Sequence, residues 1–278
     1  MGLRIRSLGW AGFQLGAGDE TLLIDPLSDA GAVFRALGEE ADPIVPPEVI
    51  APDRPTATAG LVTHLHRDHA DAGALAAGLA PGAPVLEPVA GGGEGLEELG
   101  LAQAEHELDA AGLERQRLAD WDTTTIGPFT VTALPAVDGT GDPQVSWLVE
   151  ADGARVLHLG DTMFHGYWWR IALRAGPIDA ALVPINGAVL DFPHRQPPSR
   201  LPGVMDAEQA AEAVRLLQAP VAIPMHYGGY AGTRFYRPAE ASLERFLAEA
   251  GDDCEVRPLA PGEQFGLGEP AGSGRAAA

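Results

Sequence analysis

The chain contains no lysine and a single cysteine among its 278 residues. Its 18 basic residues are therefore all arginines, and they face 39 acidic residues, for a formal net charge of −21. A surface this acidic repels nucleic acid and anionic membranes, so we expect neither as a partner. With Cys254 alone, no internal disulfide can form, and a metal site would rest mainly on nitrogen and oxygen ligands.

Long apolar segments are missing as well. No run of about 18 apolar residues occurs, so no transmembrane helix is expected. The N-terminal MGLRIRSLGWAGFQLG lacks the apolar centre of a signal peptide. We therefore expect a cytoplasmic protein, and the sequence leaves a homo-oligomer open. The hydrophobic fraction of 46% is ordinary for a globular chain and can fill a sizeable core.

Hydrophobic periodicity predicts strands that give way to alternating strands and helices. Strands are expected in LRIRSLG, GFQLGAG, TLLID, AGLVT, APVLEPV, FTVTALPA, QVSWLVEAD, ARVLHLGD, AALVPI and PVAIPMH. Helices are expected in GAVFRALGEE, DAGALAAGL, TMFHGYWWRIALRAG, MDAEQAAEAVRLLQ and RPAEASLERFLAEAG, with Asp71 and Asp206 as N-caps. This order suggests one α/β domain over residues 1–268, a sheet sandwich covered by helices.

Three segments are expected outside that core. Residues 28–58 include a proline-rich stretch and form a surface excursion, either a lid or a plain loop. Residues 91–112 are glycine-rich, then acidic and helix-prone. We expect the tail, residues 269–278, to be disordered.

The segment LVTHLHRDHADAG, residues 61–73, places four metal-ligand side chains within six positions. His64 and His66 are two apart at the end of a predicted buried strand, so their side chains point the same way and can converge on one ion. Asp68 and His69 follow as the chain turns into a helix and can address a second point nearby. Imidazole nitrogen and carboxylate oxygen are donors that Zn²⁺ accepts, and the pattern favours a metal site over separately satisfied polar residues.

THLHRDH at 63–69 resembles the H-x-H-x-D-H signature of the metallo-β-lactamase superfamily. The similarity continues in TLLIDP at 21–26, LGDT at 159–162 and IPMHY at 223–227. With the further segment MDAEQAA at 205–211, these motifs make the chain look most like the branch that contains the ascorbate-6-phosphate lactonase. The resemblance implies a four-layer αββα sandwich with a dinuclear site at one edge.

Carried over by position, the resemblance divides the ligands between two divalent metals, with Zn²⁺ expected: His64 and His66 on the first, Asp68, His69 and His226 on the second, and Asp161 bridging. A carboxylate suits the bridge because its two oxygens can span ions roughly 3.5–4 Å apart. Asp25, at the end of its strand, is a candidate partner for the outer nitrogen of a ligating histidine or a plain turn residue before Pro26.

The sequence departs from the family in LPAVDG, residues 134–139, where Asp138 stands at about the place of the third histidine of the first metal. Three interpretations follow. Asp138 ligates directly, which adds a hard donor and makes iron or Mn²⁺ alternatives to zinc. Another histidine substitutes, with His165 ahead of His158 and His194. Or the first metal site is weak or empty. We favour direct ligation by Asp138.

Other residues are candidates for contacts with substrate. His194 lies in the proline-rich loop 187–204, and Tyr227 directly follows a predicted ligand. Arg234 could receive an anionic group. His158, three residues before Asp161 on a strand, points the opposite way by alternation, which favours a hydrogen-bonding role in the core.

The leading functional hypothesis is a metal-dependent hydrolase in which a metal-bound hydroxide, with Asp68 and Asp161 as catalytic residues, attacks an ester, lactone, amide or phosphoester. The second is an iron-dependent redox enzyme on the same fold, motivated by Asp138. The third is a non-catalytic descendant that has lost one metal site.

Overall fold

The computed structural model describes residues 2–35, 45–52, 56–91, 95–228 and 235–268. Numbered in chain order, the strands of the first seven-stranded sheet are β1 (Arg4–Gly9), β2 (Gly12–Ala17), β3 (Glu20–Ile24), β4 (Ala59–Leu61), β5 (Pro84–Pro88), β6 (Glu114–Leu118) and β16 (Gln264–Gly266). The second seven-stranded sheet contains β7 (Thr123–Ile126), β8 (Phe129–Pro135), β9 (Val145–Ala151), β10 (Ala154–His158), β11 (Ala180–Pro184), β13 (Val221–Met225) and β15 (Glu255–Val256). A small sheet pairs β12 (Val189–Leu190) with β14 (Tyr236–Arg237). The helices are α1 (Ala30–Arg35), α2 (Ala72–Gly78), α3 (Leu96–Ala110), α4 (Trp168–Ala175), α5 (Ala207–Leu217) and α6 (Ser242–Ala250).

The two large sheets pack face to face and are covered by helices on both outer sides. Side chains such as Phe13 of β2 and Trp147 of β9 fill the space between the sheets. Leu75 of α2 packs on the outer face of the first sheet, and α4, α5 and α6 cover the outer face of the second with side chains such as Trp168 and Phe246. The expected αββα sandwich is therefore confirmed.

Strand direction brings the candidate site to one edge of this sandwich. The first sheet runs β16-β1-β2-β3-β4-β5-β6 and the second β15-β13-β11-β10-β9-β8-β7. β3 and β4 are parallel, as are β10, β11 and β13, and β8 points the same way as β10 because both are antiparallel to β9. The carboxyl ends of these strands meet at one edge, where ligand-bearing loops are expected in such sheets.

Several elements differ from expectation. α3 is not outside the core, because Ala104 and Leu108 are buried against α2 and the first sheet. α4 begins only at Trp168, so the segment after Asp161 is coil. β6 went unpredicted since its sequence, ERQRL, is polar. Its arginines instead bind the buried carboxylate of Glu87, Arg115 Nε at 2.8 Å and Arg117 Nε at 2.9 Å.

The predicted excursion is only partly described. Within it, residues 45–52 run as coil beside β1, and Ile50 N donates to Leu8 O at 2.9 Å. Residues 36–44 and 53–55 lie outside the described residues, as does the tail 269–278. Among the described helices, none is long and apolar enough to cross a lipid bilayer.

Both predicted N-caps are present. Asp71 accepts from Ala74 N at 2.9 Å. Asp206 accepts from Gln209 N at 2.9 Å, and Gln209 Oε1 accepts from Asp206 N at 3.3 Å, which completes a capping box at the start of α5.

Removing that cap tests the fold without touching the site. We expect Asp206→Ala to lower the free energy of unfolding by about 1 kcal/mol, because the backbone N–H of Gln209 in the first turn of α5 loses its acceptor. Urea unfolding at constant m-value measures the change. Asp206→Asn retains an acceptor and should stay within a few tenths of a kcal/mol of the wild type; equal losses in both variants would contradict the capping role.

Candidate metal centre

Two groups of ligand-type side chains meet at the sheet edge. The first contains His64, His66, Asp138 and Asp161, and the second contains Asp68, His69 and His226. Within each group, one donor atom per residue lies within 4.8 Å of every other. The structure thus brings together all seven residues that the sequence proposes as ligands, in the same division.

Asp161 faces both groups. Its Oδ1 lies 3.2 Å from His64 Nε2 in the first group. Its Oδ2 lies 3.7 Å from His226 Nε2 and 3.9 Å from His69 Nε2 in the second. One carboxylate therefore offers a different oxygen to each group, which is the arrangement that a bridging ligand requires. In the amide orientation that satisfies its neighbours, Gln144 donates to Asp161 Oδ1 at 3.1 Å and holds it in place.

Hydrogen bonds behind the histidines fix which nitrogen faces inward. The buried carboxylate of Asp25 accepts from Thr63 Oγ1 at 2.6 Å and pairs with His69 Nδ1 at 2.8 Å. Since Thr63 gives its proton to Asp25, its oxygen is an acceptor for His64 Nδ1, 3.0 Å away. Both imidazoles are thus bonded through Nδ1 and turn Nε2 towards the centre. Asp25 plays the orienting part expected of it.

His66 is held through its other nitrogen. Its Nε2 pairs with Asp142 Oδ2 at 2.9 Å, which leaves Nδ1 on the side of Asp138 Oδ2, 3.9 Å away. Asp138 Oδ1 is fully engaged, because it accepts from Thr140 N at 2.6 Å, from Thr140 Oγ1 and from Asp142 N at 3.2 Å. Asp138 therefore has one oxygen, Oδ2, to offer the first group.

Trp10 organises the second group. Its indole Nε1 donates to Asp68 Oδ2 at 2.9 Å, and its carbonyl accepts from His226 N at 3.0 Å. The rings of Trp10 and His226 lie 4.0 Å apart. Trp10, Asp25 and His226 all have positive φ, of 54°, 44° and 57°. Three non-glycine residues in the left-handed region at one strand edge are unusual, and such strain clusters at functional sites.

Burial and neighbouring charges shift the pKa values within the centre. Burial, with the nearby His69 and His66, lowers the pKa of His64. Burial acts against the imidazolium of His66 too, but the adjacent Asp138 carboxylate and the bond to Asp142 raise its pKa to about 9. Burial raises the pKa of Asp161. A cation arriving at the first group would therefore take the place of a proton on His66.

The donors present fit a divalent metal ion. Among the described residues, His64 Nε2, His69 Nε2 and His226 Nε2 are buried and have no hydrogen-bond partner. An unpartnered buried polar atom is costly, yet these three point at carboxylates of the same centre. Nitrogen and oxygen donors without sulfur suit Zn²⁺, and the carboxylates of the first group also suit iron or Mn²⁺.

A cavity of about 280 Å³ opens over both groups. His66, Asp68, Asp138, Asp161 and His226 form its polar floor. The walls are mainly aliphatic and aromatic side chains from α1, α3 and the loop between β11 and α5. A small molecule can therefore reach the candidate metal ligands.

Some candidates take other places. His165 lies outside both groups: its ring stacks on Trp168 at 3.9 Å and its Nδ1 accepts from Tyr167 N at 3.1 Å. Tyr227 packs against the core beneath α5 and α6 and is not part of the cavity wall, because the chain turns it away from the centre after His226.

The remaining candidates are placed as follows. His158 lies in the core, with Nε2 on Ala11 O at 2.9 Å, as alternation predicts. His194 lines the cavity at its exposed rim. Arg234 lies outside the described residues.

Sequence reasoning missed Trp10, Thr63, Asp142 and Gln144. Thr63 and Asp142 each carried a weak signal, because each lies beside a proposed ligand segment and has a polar side chain. Trp10 had none, since an aromatic residue after a strand is ordinarily a core residue.

Comparison with known proteins identifies relatives over most of the chain. Residues 20–227 match the model of the β-lactamase superfamily domain. A metal-dependent hydrolase of Nitratidesulfovibrio vulgaris is 31% identical over 272 residues, which cover 96% of each chain. A possible metal-dependent hydrolase of Veillonella parvula superposes with a TM-score of 0.71 at 15% identity, covering 96% of this chain and 100% of that one. A diiron β-hydroxylase of Streptomyces venezuelae gives 0.70 at 17% identity, covering 96% of this chain and 54% of that one. The two structural neighbours carry the same fold; the more specific resemblance to the lactonase branch stays a prediction.

Substituting Asp142, which bonds His66, should weaken metal binding at the first group of ligands. Substituting Trp10, which bonds Asp68, should weaken it at the second. In Asp142→Asn, the amide can donate to His66 Nε2 and so favours the tautomer protonated at the inward-facing Nδ1. In Trp10→Phe, Asp68 loses its N–H donor. We expect each variant to lose about 10–100-fold in affinity for one of two ions, measured by competition with a chromophoric chelator.

Each of these variants is the control for the other. The affinity that falls in Asp142→Asn should be retained in Trp10→Phe, and the reverse. A uniform loss of both ions in both variants, or a single bound ion in the wild type, would contradict two separately supported groups.

His165 gives a pH prediction away from the centre. Burial lowers its pKa to about 4, whereas the unfolded chain has about 6.5. The unfolded state therefore binds more protons between pH 6.5 and 4, and stability falls as the pH falls through this window, by about 3 kcal/mol in total. His165→Asn keeps an acceptor for Tyr167 N and should lose this part of the pH dependence in urea titrations. His106→Asn, at an exposed histidine of α3, should leave the dependence intact.

Proposed function

This chain belongs to the β-lactamase superfamily, and we propose that it is a dinuclear metal-dependent hydrolase acting on an ester, lactone or phosphoester of a small molecule. The observation that carries this proposal is the position of Asp161, whose two oxygens face two separate groups of imidazoles and carboxylates. The names of the relatives, metal-dependent hydrolases, support the same reaction class.

In this proposal the first ion is held by His64, His66 and Asp138, the second by Asp68, His69 and His226, and Asp161 bridges them. Asp138 replaces a third imidazole with Oδ2, the oxygen that its own loop leaves without a bond. We propose Zn²⁺ in both positions, with iron or Mn²⁺ also compatible with the first because of its two carboxylates.

Divalent ions held by these residues would supply a water of lowered pKa and a Lewis acid for the carbonyl or phosphoryl oxygen. The protein supplies position and a proton acceptor. Asp68 lies at the cavity floor with its Oδ2 fixed by Trp10. Burial raises the pKa of Asp68, but His69 and His226 outweigh this effect and hold the pKa below its usual value, so the carboxylate is ionised at neutral pH. From the cavity floor it would orient a water towards a substrate.

Four donors in the first group weigh against a descendant with that site lost. The redox alternative would need iron. Metal analysis of protein purified without added metal separates the two hypotheses, because two equivalents of zinc would exclude a resident diiron centre.

The test of hydrolysis compares the zinc-loaded wild type with Asp161→Asn on aryl esters, lactones and phosphodiesters. We expect the variant to lose on the order of 100-fold or more in kcat/KM, since it removes an anionic ligand from both ions. Dialysis against a chelator should abolish turnover, and added Zn²⁺ should restore it.

Asp152→Asn is the matched control. It makes the same chemical change away from the site, at the hairpin between β9 and β10. Full activity in Asp161→Asn, or a wild type that turns over no member of the panel, would overturn the proposal.

A further inference from the structure

The cavity over the candidate metal centre is lined by polar side chains on one side and by apolar side chains on the other. Its floor is polar, but its walls include the side chains of Phe34, Leu65, Leu101, Leu190, Phe192 and Val204. Phe34 and Val204 are buried, with 2% and 5% exposure, so these walls are part of the packed structure. A ligand that fills the cavity must place its reacting group on the floor and its body against hydrocarbon.

The cationic groups of the lining are already engaged. Arg67 points outward and pairs with Glu107 at 3.5 Å. Arg195 donates to the carbonyl of Thr140 and lies near enough to Asp142 for the two opposite charges to interact. The chain has no lysine. Among the described residues of the lining, the two arginines, Arg67 and Arg195, thus each already have a partner within the protein.

The metal ions would not supply surplus positive charge either. Five carboxylates surround the centre: Asp25, Asp68, Asp138, Asp142 and Asp161. Two divalent ions would bring four positive charges and Arg195 a fifth, which together would only balance the five carboxylates. The loaded site would therefore have no surplus positive charge with which to attract a phosphate or carboxylate. Burying such an anion without a compensating cation is costly.

Size gives a second limit. A cavity of about 280 Å³ lies at the lower end of the range for small-molecule sites, about 300–1,000 Å³. The cavity is therefore of a size for a small molecule.

We propose that the substrate is a small, uncharged carboxylic ester or lactone with an apolar body, and that these apolar side chains reject phosphoesters and esters with a second anionic group. This rests on the proposed hydrolase function and narrows its substrate class. In the reaction, the water oxygen bonds to the carbonyl carbon and the bond from that carbon to the alcohol oxygen breaks. The departing oxygen takes a proton, leaving a carboxylic acid and an alcohol.

Three compounds that share one leaving group test the preference in the zinc-loaded protein: phenyl butanoate, monophenyl succinate and phenyl phosphate. All release phenol, so one absorbance assay measures each kcat/KM. Butanoate and succinate differ only in the end of the acyl chain, a methyl group against a carboxylate. We expect a preference for phenyl butanoate of at least about 100-fold over each of the other two.

Charge placed in the wall should reverse part of that preference. We expect Leu190→Arg, and independently Leu101→Arg, to raise the succinate-to-butanoate ratio of kcat/KM by at least 10-fold, because the new guanidinium pairs with the carboxylate. Leu173→Arg is the matched control, since Leu173 is 86% exposed on α4 and should leave the ratio unchanged. Two wall positions guard against a variant that does not fold.

A binding measurement with compounds that cannot be hydrolysed tests this substrate preference separately from the hydrolase proposal. Butyrophenone and 3-benzoylpropionate are ketones that cannot be hydrolysed, and they again differ in a methyl group against a carboxylate. Calorimetric binding of butyrophenone in preference to 3-benzoylpropionate, with no ester turned over, would support the cavity preference and overturn the hydrolase. Faster cleavage of phenyl phosphate or monophenyl succinate would overturn the preference and leave the hydrolase standing. Failure to bind either ketone or to cleave any ester would overturn both.

Discussion

The structure of this site depends on the cost of burying charge. Carboxylates and imidazoles are withdrawn from water together at the edge of two sheets, and none can be removed alone without leaving its partner uncompensated. The outward nitrogens of His64, His66 and His69 are therefore each bonded to a fixed acceptor, at Thr63, Asp142 and Asp25. The unpartnered Nε2 atoms of His64, His69 and His226 are turned inward, and this is why the cluster could hold a metal ion.

Much of this could be predicted from the sequence, because the family resemblance points to ligands that lie at the ends of predicted strands. Periodicity located β4, β10 and β13, and parallel strands bring His64, Asp161 and His226 to the same edge however far apart they are in the chain. The order of the predicted strands and helices, together with the family resemblance, likewise predicted the sandwich. β6 was not predicted because it is a polar edge strand. Its arginines bond a buried glutamate, and this tertiary contact leaves no pattern in the local sequence.

The residues that support the ligands could not be predicted in the same way. Trp10 reaches Asp68 across 58 positions and Asp142 reaches His66 across 76, so their roles exist only once the fold has formed. His165 shows the reverse error. Proximity in sequence to Asp161 made it a candidate, but the coil before α4 turns its ring onto Trp168. The left-handed backbone at Trp10 and His226 is equally invisible in a sequence, although it aims both side chains at the centre.

Asp138 links the departure in sequence to the chemistry of the cavity. A histidine in its place would be neutral, and two divalent ions would then leave the centre with a positive surplus once Arg195 is counted. The aspartate removes that surplus and is itself stabilised by Thr140 and the backbone of its own loop. Asp138, which departs from the family's ligand set, would thus also change the net charge of the centre. In the proposed dinuclear site it would remove the surplus that attracts anions, and the apolar walls of the cavity would favour the same uncharged substrate.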